Sequence, residues 1–260
     1  MPLKLAIAGA GGRMGQMLIN AAVADSAVEI AAALERSGSP LLGLNVAGVA
    51  VTDDIDAAIS VSRVIIDFTR PEGSLAHLAA CARHGVNAVI GTTGFTDAQL
   101  AELRGYADHI AIVFAPNMSL GVNVTAKLVA AAAKLLGMAA DIEVFDAHHK
   151  LKVDAPSGTA LMLGRVAAEA RGQNFDRVAI LDRHSVRGER QAGSIGFSAV
   201  RAGDIIGDHT VLFALNGETV EITHRSSSRE TYAHGAIRAA KFVAEHSKGL
   251  FQMDDVLGLN

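Results

Sequence analysis

Two histidines and two lysines crowd positions 148–152 of an otherwise acidic chain, in the run Asp146-Ala147-His148-His149-Lys150-Leu151-Lys152. Imidazole and ammonium groups packed this closely can hold an anion, or hand a proton to charge that develops during a reaction. Read as extended chain, the stretch sends His148, Lys150 and Lys152 to one side and His149 to the other, so His148 and Lys152 share a cleft. Asp154-Ala155-Pro156-Ser157-Gly158-Thr159 follows. Ser157 suits a helix N-cap, and the amides of Gly158 and Thr159 then form an anion site at the helix start. Zinc binding is the competing chemistry for the histidines. The inventory speaks against it: adjacent histidines rarely bind one ion together, no His-Glu-x-x-His pattern occurs, and the only cysteine, Cys81, lies elsewhere. No metal is expected. A solvated basic loop would explain the charge, but not the Pro-Ser-Gly-Thr turn behind it.

A second chemical feature stands at the other end of the chain. Gly9-Ala10-Gly11-Gly12-Arg13-Met14-Gly15 fits G-x-x-G-x-x-G and follows an apolar first strand. Such a turn brings backbone close to a pyrophosphate and points helix N-terminal amides at the anion. Glu35-Arg36 follows the second strand, where an acid accepts bonds from an adenosine ribose and an arginine pairs with a 2′-phosphate. Having both predicts that NADH and NADPH are each used. Three further loops come just after apolar runs: Phe68-Thr69-Arg70-Pro71, Gly91-Thr92-Thr93-Gly94 and Ala115-Pro116-Asn117-Met118. Loops at the carboxyl ends of parallel strands line a ligand crevice. Gly91, Thr92, Thr93 and Ala115, Pro116, Asn117, Met118 are therefore assigned to the nicotinamide and its ribose.

The elements that must position these residues change character midway. Strand-like runs at 4–8, 28–34, 64–68, 87–90 and 110–114 alternate with helical stretches at 13–24, 71–84 and 96–108. This order predicts an α/β, Rossmann-like doubly wound parallel sheet. Residues 123–136 are alanine-rich and helical. Beyond them come strand-like runs at 141–147, 194–202, 209–215 and 219–225, with Asn216-Gly217 as a hairpin signal between the last two. A second α+β domain with a mainly antiparallel sheet is predicted, followed by a helix at 232–245. The expected division is a dinucleotide-binding domain at 1–120, completed by 228–260, with residues 121–227 as substrate-binding and oligomerisation domain.

Composition narrows the classes. A net charge of −4 gives no electrostatic footprint for nucleic acid, and 4% aromatic content without tryptophan gives no base-stacking platform. No uninterrupted apolar run reaches the ~20 residues of a membrane span. The N-terminal residues read straight into a strand, without the regions of a signal peptide. A lone cysteine fits a reducing compartment, so a cytoplasmic protein is expected.

The run from Asp146 to Ala160, with His148, His149, Lys152, Pro156, Ser157, Gly158 and Thr159 in place, resembles the signature of the dihydrodipicolinate reductase family. The similarity extends through Gly9–Gly15, Glu35-Arg36, Gly91–Gly94, Asn117–Asn123, Arg201–Asp204 and Gly207–Thr210. Asp146 stands where the family is expected to carry glutamate, and Met118 where an aromatic is common. The resemblance implies NAD(P)H-dependent reduction of 4-hydroxy-tetrahydrodipicolinate, with loss of water, in diaminopimelate and lysine biosynthesis by a homotetramer. It implies His148 as the acid–base residue, Lys152 as proton donor or carboxylate partner, His149 as substrate ligand and Gly158-Thr159 as carboxylate cradle. A cyclic dicarboxylate imine needs just such anion sites and a proton donor. Two rivals share part of the pattern: an aspartate or diaminopimelate dehydrogenase, and a non-catalytic NAD(H) redox sensor. Neither needs the His-His-x-x-Lys and Pro-Ser-Gly-Thr pair.

Overall fold

The computed structural model describes residues 1–259. From the N-terminus the chain runs β1 (Leu3–Ala8), α1 (Arg13–Val23), β2 (Val28–Leu34), β3 (Asn45–Val46), β4 (Val49–Thr52), α2 (Ile55–Ser60) and β5 (Val64–Asp67). It continues with α3 (Pro71–His84), β6 (Asn87–Ile90), α4 (Asp97–Tyr106), β7 (Ala111–Phe114), α5 (Leu120–Leu136), β8 (Asp141–His148), α6 (Gly158–Ala170) and α7 (Phe175–Val178). Strands β9 (Ala179–Ile180), β10 (Ile195–Arg201), β11 (Gly207–Leu215) and β12 (Glu218–Ser226) follow, and α8 (Glu230–Val243), β13 (Gly249–Phe251) and α9 (Met253–Leu257) close the chain. Contacts divide it into two compact units: Met1–Leu120 together with the chain from Glu230 onward, and Gly121–Arg229.

The first unit holds an eight-stranded sheet in the order β13-β7-β6-β5-β1-β2-β4-β3. Every pairing is parallel except that of β3 with β4. Its central strands are apolar on both sides because helices cover both faces. Leu5, Ile7, Val64 and Ile66 pack with Ala236, Ile237 and Ala240 of α8, whereas Ala6, Ile65 and Ala88 pack with Leu78 and Cys81 of α3. This is the doubly wound architecture that the strand–helix alternation predicts. Asn87 sews in the returning segment: its amide donates to the carbonyls of Val243 and His246, and its oxygen accepts from the Ala111 amide. Strand β13, missing from the sequence reading, pairs with β7.

The second unit holds a five-stranded sheet in the order β12-β11-β8-β10-β9. The long pairings of β11 with β8 and with β12 are antiparallel. Strand β10, however, lies parallel to β8 and β9, because the chain returns to it through α6, a crossover that a tight turn cannot replace. The β11–β12 hairpin sets Leu215 opposite Glu218 across Asn216-Gly217, with Gly217 at φ +90°. Ile142, Val144, Val211 and Phe213 turn to one face, against Val129, Ala133, Leu163 and Ala167 of α5 and α6. The segment Leu120–Ala139 is long and apolar enough to cross a membrane by composition, yet Lys127 and Lys134 interrupt it and Val129 and Ala133 belong to this core.

Candidate functional site

In the first unit, the glycine turn is built around close backbone approach. Gly9 takes φ +69°, its carbonyl accepts the Gly12 amide at 2.9 Å, and a Cβ on Gly15 would strike that carbonyl. Gly12 opens α1 without a side-chain cap, and no acid occupies the first turn. The outward first-turn amides and the positive end of the helix therefore suit an anion. Ala10 is committed to structure, its amide to Leu34 and its carbonyl to Gln16. Arg13 is exposed and Met14 half-buried. Just past β2, Glu35 accepts the Gly11 amide at 2.8 Å and the Arg36 amide at 3.2 Å. One carboxylate thus joins the acidic position to the glycine turn.

The other loops are joined through Asp67, which is fully buried at the end of β5. Its Oδ1 accepts the Thr69 amide and hydroxyl, each at 2.7 Å, and its Oδ2 lies 2.7 Å from His77 Nδ1. Thr92 Oγ1 stands at 3.4 Å from Oδ1 and accepts from Ser74. Burial raises the Asp67 carboxyl, but His77 and Thr69 outweigh it and hold the group below the usual range. Gly91 donates to the Asp67 carbonyl, and the Phe68 ring occupies the space a Cβ there would need. Thr92, Thr93, Phe95, Phe114 and Pro116 line a shallow cleft. The Ala115 amide bonds Ile90, and Asn117 accepts the Ser119 amide. The Met118 side chain is fully buried in the core with Ala233 and Ile237, so its main chain is the part left to face a ligand.

In the second unit, β8 ends at His148, and the extended reading ends with it. The Lys152 amide bonds the His149 carbonyl at 3.1 Å, so residues 149–152 form a turn and not a continuing strand. Strand alternation still puts Asp146 and His148 on one buried face. His148 Nδ1 lies 2.6 Å from Asp146 Oδ1, an ion-pair contact whose N–H falls short of full alignment. Its Nε2 looks toward Gly207, where a Cβ would come within 3.0 Å. Asp146 Oδ2 accepts the Ser157 amide at 2.7 Å and Arg201 Nη2 at 3.0 Å. Ser157 Oγ accepts from Ala160 as the cap of α6 and meets His209 Nε2 at 3.1 Å. Gly158 and Thr159 begin that helix. Lys152 donates to Asp154 at 2.7 Å, and Arg229 donates to His149 Nε2 at 3.1 Å.

The charges are in tension. Burial raises the Asp146 carboxyl, yet the Ser157 amide, Arg201 and His148 hold it below its usual range. Burial lowers His148, Asp146 raises it, and Lys152 and Arg201 lower it, with a net value below that of an ordinary histidine. Burial and then His148 push His209 down to about 4, so it is neutral at pH 7. Asp146, His148 and His209 bring their donor atoms within 4.8 Å of one another, a set the His-His pattern did not suggest. Arg201 already supplies positive charge to that carboxylate. The sequence reading passed over Asp146, Arg201 and His209 as working groups. The available signals are the Asp-x-His alternation and the family-like runs Arg201–Asp204 and Gly207–Thr210, since Arg201 and His209 reach the cluster only through cross-strand register with His148 and Asp146.

Comparison with known proteins agrees along the whole chain. The family described as dihydrodipicolinate reductase, N-terminus, matches residues 3–118, and that described as dihydrodipicolinate reductase, C-terminus, matches residues 121–257. The 4-hydroxy-tetrahydrodipicolinate reductases of Burkholderia cenocepacia and Burkholderia multivorans are each 56% identical over 264 residues, covering 99% of this chain and 100% of theirs. A dipicolinate-bound dihydrodipicolinate reductase from Paenisporosarcina sp. TG-14 has a TM-score of 0.81 at 28% identity, covering 97% of this chain and 98% of that one. A meso-dapdh mutant from Clostridium tetani E88, at 9% identity and TM-score 0.57 over 97% of this chain and 94% of its own, shares the fold alone.

Proposed function

The chain belongs to the dihydrodipicolinate reductase family, and on that premise we propose that it reduces 4-hydroxy-tetrahydrodipicolinate to tetrahydrodipicolinate, with loss of water, using a nicotinamide dinucleotide. The step serves diaminopimelate and lysine biosynthesis. When bound, the reduced dinucleotide supplies the hydride. Gly9, Ala10, Gly11 and Gly12 form a turn that lets the backbone approach its pyrophosphate, and the first-turn amides of α1 at Arg13 and Met14 suit that anion. Glu35 is assigned to the ribose and Arg36 to a 2′-phosphate, so NADH and NADPH both serve. Gly91, Thr92, Thr93, Ala115, Pro116, Asn117 and the Met118 main chain are assigned to the nicotinamide side.

The observation that carries the chemistry is His148, a buried imidazole braced by Asp146 beside the start of α6. Loss of the C4 hydroxyl with a C3 hydrogen as water gives a conjugated imine, and its reduction at ring C4 leaves negative charge spread toward C3 and the ring nitrogen. His148 Nε2 gives its proton to C3, while Lys152 offsets the charge or holds a carboxylate. Gly158 and Thr159 cradle one carboxylate at the helix start, and His149 holds substrate. The sheet face bearing exposed Phe145 and Val200 supports a homotetramer, because such a face gains by being covered. A single cysteine, Cys81, which can form no internal disulfide, fits a reducing compartment such as the cytoplasm.

An assay that follows loss of reduced-cofactor absorbance with freshly made substrate tests the reading. Turnover with both NADH and NADPH is expected. Tight NADH binding with no consumption would instead identify the redox sensor.

A further inference from the structure

We infer that Asp146 is the positioning residue of the site, a single buried carboxylate that fixes both His148 and the start of α6. The inference rests on the assignment of His148 as proton donor. Asp146 is 1% exposed, and its two oxygens have different jobs. Oδ1 faces His148 Nδ1 at 2.6 Å, whereas Oδ2 takes the Ser157 amide at 2.7 Å and Arg201 at 3.0 Å. Arg201 reaches on to the Asp154 carbonyl at 2.6 Å, so the loop before α6 is held from the same point. Four segments of chain therefore converge on one group: β8, β10, the Asp154 loop and the cap of α6.

The consequence for His148 is a defined tautomer. With Nδ1 turned to a carboxylate, neutral His148 keeps its hydrogen there, and protonation adds the transferable one at Nε2. A carboxylate in this position orients the ring and stabilises the imidazolium without itself taking the proton. The consequence for the cradle is placement. The Ser157 amide is tied to Asp146 Oδ2 while its hydroxyl caps the helix, so the amides of Gly158 and Thr159 start from a fixed point. An asparagine keeps the size but replaces one acceptor oxygen with a donor, and cannot serve both sets of partners. An ordinary ion pair with Arg201 would stabilise the strand yet leave tautomer and cradle unaffected.

The groups facing His148 are Asp146 on its own strand, Arg201 on β10, His209 on β11 and Lys152 in the following turn. Loss of the Asp146 charge removes the one anion among them. The test uses full-length protein with Asp146→Asn, Asp146→Glu and His148→Gln. Steady-state kinetics are measured against pH, with calorimetric binding of pyridine-2,6-dicarboxylate and, separately, of NADH. Nitrogen NMR of the wild-type histidine rings reads the tautomer without any substitution.

Asp146→Asn is expected to lower kcat by about ten- to a hundredfold. It should also move the alkaline fall of kcat/KM to lower pH and weaken the dicarboxylate several-fold, with NADH affinity kept. Asp146→Glu should recover most of the turnover, and His148 should carry its hydrogen on Nδ1. Unchanged pH dependence and dicarboxylate affinity in Asp146→Asn would overturn the inference, as would an Nε2–H tautomer in the wild type, which decides the case even if the variant does not fold. If His148→Gln keeps its turnover, the proton-donor assignment itself fails, whereas loss of turnover there with a silent Asp146→Asn defeats positioning alone.

Discussion

Each unit buries one aspartate against one histidine at nearly the same distance, 2.7 Å for Asp67 with His77 and 2.6 Å for Asp146 with His148. Their surroundings differ. Asp67 is completed by neutral donors, the Thr69 amide and hydroxyl and Thr92, which close its oxygens without adding charge. Asp146 shares its second oxygen with Arg201, and its histidine lies under the influence of Lys152 and Arg201. The first pair is closed by fixed donors and fastens loops. The second holds its proton under competing pulls, a condition that suits transfer. An Asp–His contact therefore has no fixed role; the charges around it decide whether it braces or reacts.

The strongest way to break this comparison is to remove each histidine. His148→Gln should cut turnover by about 10²–10⁴-fold with little change in thermal stability. His77→Phe should destabilise the fold by about 1–3 kcal/mol or more, because it leaves the buried Asp67 carboxylate without its His77 partner, while the remaining folded protein turns over within about tenfold of wild type. Calorimetric unfolding and kinetics on the same samples separate the two, and exchanged outcomes would refute the distinction. Acid sharpens it. The folded Asp67 carboxyl is depressed, so its stabilisation is present above the unfolded aspartate value of about 3.9 and is lost as pH falls through the lower folded value. His77→Phe should flatten that acid loss.

A smaller effect is expected at an exposed charge. Arg36 is exposed at the end of β2, unlike either buried pair. Arg36→Ala should weaken NADPH by about ten- to a hundredfold and NADH far less, as only NADPH carries the 2′-phosphate. Equal losses in a binding titration would remove Arg36 from cofactor choice.

The smallest effect probes the competing charges directly. Lys152 lowers His148, so Lys152→Gln should shift the alkaline fall of kcat/KM to higher pH, by less than about one unit. The direction follows because a proton donor works below its pKa and loses activity as pH rises through it. Disappearance of that limb would assign the proton to Lys152 instead.

The doubly wound sheet was readable because strands with two covered faces become continuous apolar runs, as in Val64, Ile65 and Ile66 of β5, and because helices intervene at regular spacing. The parallel place of β10 was not, since strand order depends on where α6 returns the chain. Gly249–Phe251 is too short to show a period. The His148–Thr159 segment could be picked out because its residues are neighbours in sequence. Arg201 and His209 come 55 and 63 residues after Asp146 and meet it only through register. The turn at 149–152 defeated the extended reading because it depends on one amide–carbonyl bond that no residue type announces.

The placement of α8 bears on how this protein is made. Its Ala233, Ala236, Ile237 and Ala240 fill the core against β1 and β5, and Asn87 waits for the carbonyls of Val243 and His246. On a ribosome these groups emerge only after the whole second unit. The first seven strands must therefore spend the synthesis of the entire second unit, roughly ten seconds at ~5–20 residues per second, with one face of their sheet covered by α1 but not yet by α8. The inserted unit has all its strands and covering helices in hand by Arg229 and is free to fold meanwhile. Folding order thus inverts chain order, and the interval of exposed apolar sheet is where a chaperone would find this nascent chain.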